Sequence, residues 1–198
     1  MAHSIERFVE RVKEAQVELV HDAREQQRQW NYTLHRGRVW FDRETRELHR
    51  QFRQSIPSFL REANLLSILT APFIYGLGIP LVVLDVAVTV YQWICFPVYG
   101  IARVPRRRYF QIDRYKLGYL NAIEKANCTY CSYANGLLAY VREIAARTEQ
   151  YWCPIKHARA IPTPHTHYHL FFDYGDAKSW RKDLPSVRRA LEPGSSKK

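Results

Sequence analysis

Four cysteines and a run of histidines carry the most legible chemistry in this sequence. Cys128 and Cys131 form a C-x2-C pair; Cys153 follows after 21 residues, and His157 completes a C-x3-H step. That spacing suits a Cys3His zinc site, because thiolates and a neutral imidazole are the donors tetrahedral zinc prefers. An iron–sulfur cluster on the same four residues is the lesser variant. A thioredoxin-like use of the pair would need a strand–helix–strand setting, which the surrounding pattern lacks. A second set is more compact: Cys153, His157, His165, His167 and His169. The last three alternate, so on a strand they would share one face. Imidazoles accept zinc, copper, iron or nickel, and Asp173 and Asp176 stand near enough to ligate or to orient a ligand. Two readings need no metal: thiols buried as small hydrophobes, and histidines that are solvated or touch headgroups.

The elements around these residues decide whether they meet. Tyr115, Leu117, Tyr119, Leu120 and Ile123 predict a helix over Ile112–Asn127. Asn135–Gly136 reads as a break, and Leu137, Leu138, Val141, Ile144 and Ala145 predict a second helix over Leu137–Glu149. That second helix would hold its ends about 20 Å apart. The two halves of the Cys3His set then share one ion only if the chain folds back, or if a partner chain supplies ligands.

The strongest pattern lies upstream. From Asn64 to Ile101 the only Asp, Glu, Lys or Arg is Asp85. About 18 apolar residues suffice for a spanning helix. Gly76, Gly78 and Pro80 predict a break that divides the run into a short arm, Leu65–Tyr75, and a long arm, Pro80–Tyr99. Arg50, Arg53 and Arg61 precede the run, while Arg103, Arg106, Arg107 and Arg108 follow it. Clustered basic residues stay on the cytoplasmic side, so two basic flanks predict a membrane-inserted helical hairpin with its GLGIP tip in the bilayer. Tyr91, Trp93, Phe96 and Tyr99 suggest an interfacial belt. The alternative is a buried core hairpin of a soluble protein. An intramembrane Asp85 would be protonated against a neighbouring helix, or would meet a basic residue of another subunit.

Before the run, Ser4 and Glu6 open a helical pattern in which Ile5, Phe8, Val9, Val12, Leu19, Val20 and Ala23 share a face. This amphipathic helix would pack on protein or rest on a membrane. Residues 38–50 suit a short hairpin turning at DRETRE, and the same residues also suit a helix from Arg43 to Arg53. Pro57, with Ser55 or Ser58 as cap, opens the next segment. Residues 192–198 read as a disordered tail.

The chain has 198 residues, 30 Lys plus Arg against 19 Asp plus Glu, and a formal charge of +11. Its mean hydropathy is negative, which excludes a polytopic transporter. No apolar leader is read in residues 1–30, so the cysteines are expected in a reducing compartment. There is no P-loop, strand-anchored GxGxxG, HExxH, GxSxG or zinc-deaminase signature. The charge excess could serve nucleic acid, but no binding-fold signature accompanies it. Anionic lipid headgroups explain basic residues beside an apolar run more directly.

These observations predict a mainly α fold. A membrane-inserted hairpin (57–101) would carry a small cytoplasmic α-rich domain with a few short strands. The remaining parts are an N-terminal amphipathic segment (1–56), a Cys/His domain (102–191) and the tail. The expected role is that of a membrane-anchored accessory or scaffold subunit of a membrane protein complex, stabilised by a structural metal such as zinc. Its partners would be an anionic bilayer and other membrane subunits or a second copy. The alternative is a membrane-bound metalloenzyme or redox protein using the Cys/His cluster.

Overall fold

A computed structural model describes residues 32–35 and 38–194, with Glu18, His21, Asp22 and Glu25 before them, and the chain is mainly helical. Most of the expected N-terminal amphipathic helix and the last four residues of the expected tail lie outside the described residues. Glu18, His21, Asp22 and Glu25 are themselves helical. The chain divides into two compact units: residues up to Glu62 with Asp113–Asn127, and Ala63–Ile112 with Cys128–Lys198.

In the first unit, β1 (Tyr32–His35) pairs antiparallel with β2 (Arg38–Phe41), with Thr33 opposite Trp40. The hairpin therefore turns before Arg38. The DRETRE segment opens α1 (Arg43–Gln51), because the Asp42 carboxylate accepts the Thr45 N–H at 2.7 Å as an N-cap. Gln54 and Ser58 both bond the Glu62 carboxylate in and before α2 (Ile56–Glu62), where Ser55 Oγ accepts the Ser58 N–H. His49 sits between the rings of Phe41 and Tyr119, and a side chain at Gly118 would press to 3.0 Å of its Cβ. Ile112–Asn127 is not one helix: a 3-10 turn at Arg114–Lys116 precedes a helix that starts only at Ala122. Asn121 sets that start through a capping box, its Oδ1 taking the Glu124 N–H at 3.0 Å while Glu124 takes the Asn121 N–H at 2.8 Å.

In the second unit, α3 (Leu65–Gly76) and α4 (Gly78–Tyr99) do not form the expected hairpin. Leu77 joins them in right-handed helical geometry (φ −63°, ψ −17°). Its N–H reaches Phe73 C=O at 3.4 Å, and its C=O takes the Leu81 N–H at 3.2 Å. Gly76 and Gly78 stay helical, and Pro80 falls in the first turn of α4, where its missing N–H costs no bond. The chain shows no reversal here. The result is one 35-residue helical run, Leu65–Tyr99, long and apolar enough by length and composition to cross a membrane. It ends at Gly100 (φ +70°), where Gly100 N–H bonds Pro97 C=O at 3.3 Å and Ile101 N–H bonds Phe96 C=O at 2.8 Å. This left-handed cap needs glycine, and it turns Ile101 back onto Phe96 in the core.

The helix from Ala122 is α5 (Ala122–Trp152), 31 residues without a break. The expected stop at Asn135–Gly136 is absent. Gly136 stays in the helix because another segment crosses it: an added Cβ would lie 2.8 Å from Tyr109 C=O and 3.2 Å from Phe110 Cα. Glycine here serves a close backbone approach instead of a turn. From α4 to α5, Asp85 meets Tyr133, Gln92 meets Tyr140, and Tyr99 meets Tyr151, so the two helices run in the same direction. Their core holds Phe96, Ile101, Val104, Leu137, Tyr140, Ile144 and Leu191. A C-terminal segment closes over α5: Phe172 N–H bonds Pro154 C=O and Lys156 N–H bonds Phe172 C=O, both at 2.8 Å. Finally, α6 (Ala177–Arg189) lies against the end of α5, where Gln150 and Arg188 bond the carbonyls of Val187 and Tyr151.

Two glycine replacements check this arrangement. Gly136→Ala is expected to cost about 1–3 kcal/mol, since backbone must move. Gly76→Ala, with no atom within 4 Å of the new Cβ, is expected to gain about 0.5–1 kcal/mol of helix stability. Denaturant unfolding in mild detergent measures both.

Candidate functional site

The inner face of α4 carries the helix's buried polar residues, each with a partner, beside the core residue Phe96. Arg106 grips Asp85 with both guanidinium nitrogens, one at 2.7 Å from Oδ2. Tyr133 donates to the same Oδ2 at 2.8 Å, and the Arg106 guanidinium lies 4.0 Å over the Phe110 ring. One turn on, Thr89 faces Asp85. Farther along, Gln92 donates to the Tyr140 hydroxyl and accepts the Val104 N–H at 3.0 Å. Asp85, Gln92 and Phe96 are the buried residues of this helix. Asp85 is therefore paired with an arginine of its own chain and hydrogen-bonded by Tyr133 of the neighbouring helix. Arg106 is held by Asp85 and is still exposed, as are Arg103, Arg107 and Arg108.

The outer face is the reverse. Ile79 and Val98, at the two ends of α4, are 73% and 77% exposed, and Val83, Val86, Val90 and Ile94 between them are exposed as well. In α3, Leu65, Leu69 and Phe73 are exposed too. A face about 33 Å long and about 10 Å wide amounts to on the order of 300 Å² of apolar surface on α4 alone. The expected aromatic belt does not form as a set. Phe96 is in the core, Tyr91 bonds the Thr148 hydroxyl at 3.0 Å, and Tyr99 stacks on Tyr151. Trp93 alone of the four stands on the outer face, with the Arg103 guanidinium 4.4 Å over its ring.

The Cys3His set is not assembled within the chain. All four cysteines are free of disulfides; Cys131 lies nine residues into an unbroken helix and Cys153 just past its end, roughly 33 Å apart. Among the described residues, no three His, Cys, Asp or Glu side chains converge as metal ligands. The alternating histidines do not lie on a strand either. His165 and His167 precede a 3-10 turn (Tyr168–Leu170) that contains His169, which is exposed. His165 Nε2 meets Glu149 at 3.0 Å. His167 is held on both sides, Nδ1 to Gln150 at 2.6 Å and Nε2 to Glu143 at 3.1 Å. Glu143 also takes Arg147 Nε at 2.8 Å, and Arg147 reaches Ala102 C=O. His157 donates its N–H to the Tyr168 hydroxyl, Asp173 pairs with Lys156 at 2.7 Å, and Asp176 caps α6. Of the predicted ligands, His165 and His167 fasten the C-terminal segment to α5. The hydrogen bond from His167, then the Arg147 guanidinium, holds the Glu143 carboxyl at about 2, against 4.5 ordinarily.

Sequence reasoning missed Tyr133, Tyr140, Gln92 and Glu143. A signal was present: Asp85 and Gln92 are seven residues apart, as are Tyr133 and Tyr140. Matched spacing of polar groups on two helices is what parallel packing requires. In comparisons with known proteins, no family model, no curated protein and no solved structure matches the chain.

Arg106→Gln leaves the Asp85 carboxylate buried with only hydroxyl partners. The expected cost is about 2–3 kcal/mol, reduced from the fully buried case because the arginine side chain is 44% exposed. Adding Asp85→Asn to that variant should recover part of the loss in a double-mutant cycle of unfolding free energies. Glu143, with its depressed acidity constant, contributes stability that is complete above pH 4.5 and is lost as pH falls toward 2. Glu143→Gln is expected to flatten that acid limb in urea titrations.

Proposed function

We propose that this chain is a membrane-anchored accessory or scaffold subunit of a membrane protein complex, seated on the cytoplasmic face. The observation that supports this is the Leu65–Tyr99 run, whose apolar residues stay uncovered while its polar ones are bonded inside the protein. The uncovered apolar side chains run through both α3 and α4, and a continuous exposed apolar stretch of this kind marks membrane or subunit contacts. Arg103, Arg107 and Arg108, exposed beside the end of that run, suit anionic headgroups at about 1 kcal/mol each. The polar contacts of the second unit are structural ties, which suits a scaffold. The apolar surface left over is available to other membrane subunits or to a second copy.

Membrane fractionation tests the role. The native chain should stay with the membrane through alkaline carbonate washing. Val86→Lys with Val90→Lys, both on the exposed face, should move it to the soluble fraction with little change in unfolding midpoint. A native chain released by carbonate would overturn the reading.

A further inference from the structure

We propose that α4 lies along the lipid–water boundary, parallel to the membrane plane, with its outer face in the hydrocarbon and its inner face on its own protein. This rests on the membrane reading above and states how the apolar run meets the lipid.

Three observations converge. First, the division between faces holds along the whole helix. The inner side is engaged at Asp85 and Gln92, and the outer side is exposed from Ile79 to Val98. A crossing helix also turns its polar residues toward protein, so this observation supports the in-plane seat only together with the two that follow. A helix lying in the boundary needs an apolar half and a polar half from end to end. Here the polar half is supplied by the chain packed beneath it.

Second, crossing would carry charge into the hydrocarbon. Tyr91 bonds Thr148, so the Glu143–Arg147 pair, one turn earlier on α5, travels with α4, as does the Asp85–Arg106 pair. Charged side chains near the bilayer centre cost several kcal/mol each. Lying flat leaves these pairs on the water side. Trp93, with the Arg103 guanidinium over its ring, fits the same level: an indole at the headgroups and a cation reaching to phosphate.

Third, the flanks agree. Arg53 and Arg61 stand before the run, and Arg103, Arg107 and Arg108 after it. Two basic flanks on one side required a reversal of the chain, which Leu77 does not make. A helix in the plane keeps both flanks on one side without reversing.

Depth measurement on full-length protein in vesicles of mixed zwitterionic and anionic phospholipid tests this. Spin labels are placed at Ile79→Cys, Val86→Cys and Val98→Cys, with the native cysteines changed to serine. Collision with lipid-soluble and water-soluble relaxants should place all three at depths within about 5 Å of one another. A crossing helix would spread Ile79 and Val98 over about 28 Å, and that gradient overturns the proposal while leaving the membrane reading intact. Wild-type chain tagged at both ends gives a check free of substitutions. External protease should remove both tags from sealed vesicles, and a tag protected by the vesicle overturns the in-plane seat. A chain that ignores vesicles and hides the labels in a lipid-free dimer overturns the membrane reading itself.

Discussion

The Asp85–Arg106 pair fixes what the second unit can be. Asp85 is the only Asp, Glu, Lys or Arg between Asn64 and Ile101, and it turns inward to a bidentate arginine and the Tyr133 hydroxyl. One bonded carboxylate sets the rotation of the whole helix. With Asp85 inside, Gln92 and Phe96 must be inside, seven and eleven residues on, and the valines and isoleucines must face out. The same pair draws Arg106 down beside Phe110, whose backbone passes over Gly136. The loop, the two parallel helices and their register are therefore one connected arrangement.

Such a helix is amphipathic in reverse. Soluble proteins turn apolar side chains inward because burial is worth about 25 cal/mol per Å². Here the bonded polar groups face the protein, and the uncovered side is apolar. In the proposed membrane setting, lipid covers that side and becomes a structural component of the unit. A polar inner face also ties α4 to α5 by directed bonds, which hold register when hydrophobic association no longer distinguishes protein from solvent.

Much of this was legible in the sequence. The apolar run and its basic flanks were visible, as was the mainly helical class, because length and periodicity report them directly. The structure shows no reversal at GLGIP: two glycines and a proline permit a break but do not impose one, and Pro80 falls where a helix start tolerates it. Asn135–Gly136 misled for a related reason, since local sequence cannot show that a neighbouring backbone needs the space of a side chain. The cysteine spacing suits zinc, but the unbroken α5 holds Cys128 and Cys131 away from Cys153 within one chain, a separation that spacing alone does not show. His165 and His167 stood out correctly as chemically engaged, but their partners, Glu143 and Glu149, lie on another element that no local pattern joins to them.

The central claim is that the exposed face of Leu65–Tyr99 requires lipid. Flotation of purified full-length chain with phospholipid vesicles, after removal of detergent, measures this directly. The account requires the protein to rise with the vesicles, and to aggregate when they are omitted. A chain that stays at the bottom of the gradient as a soluble, dispersed monomer would contradict it.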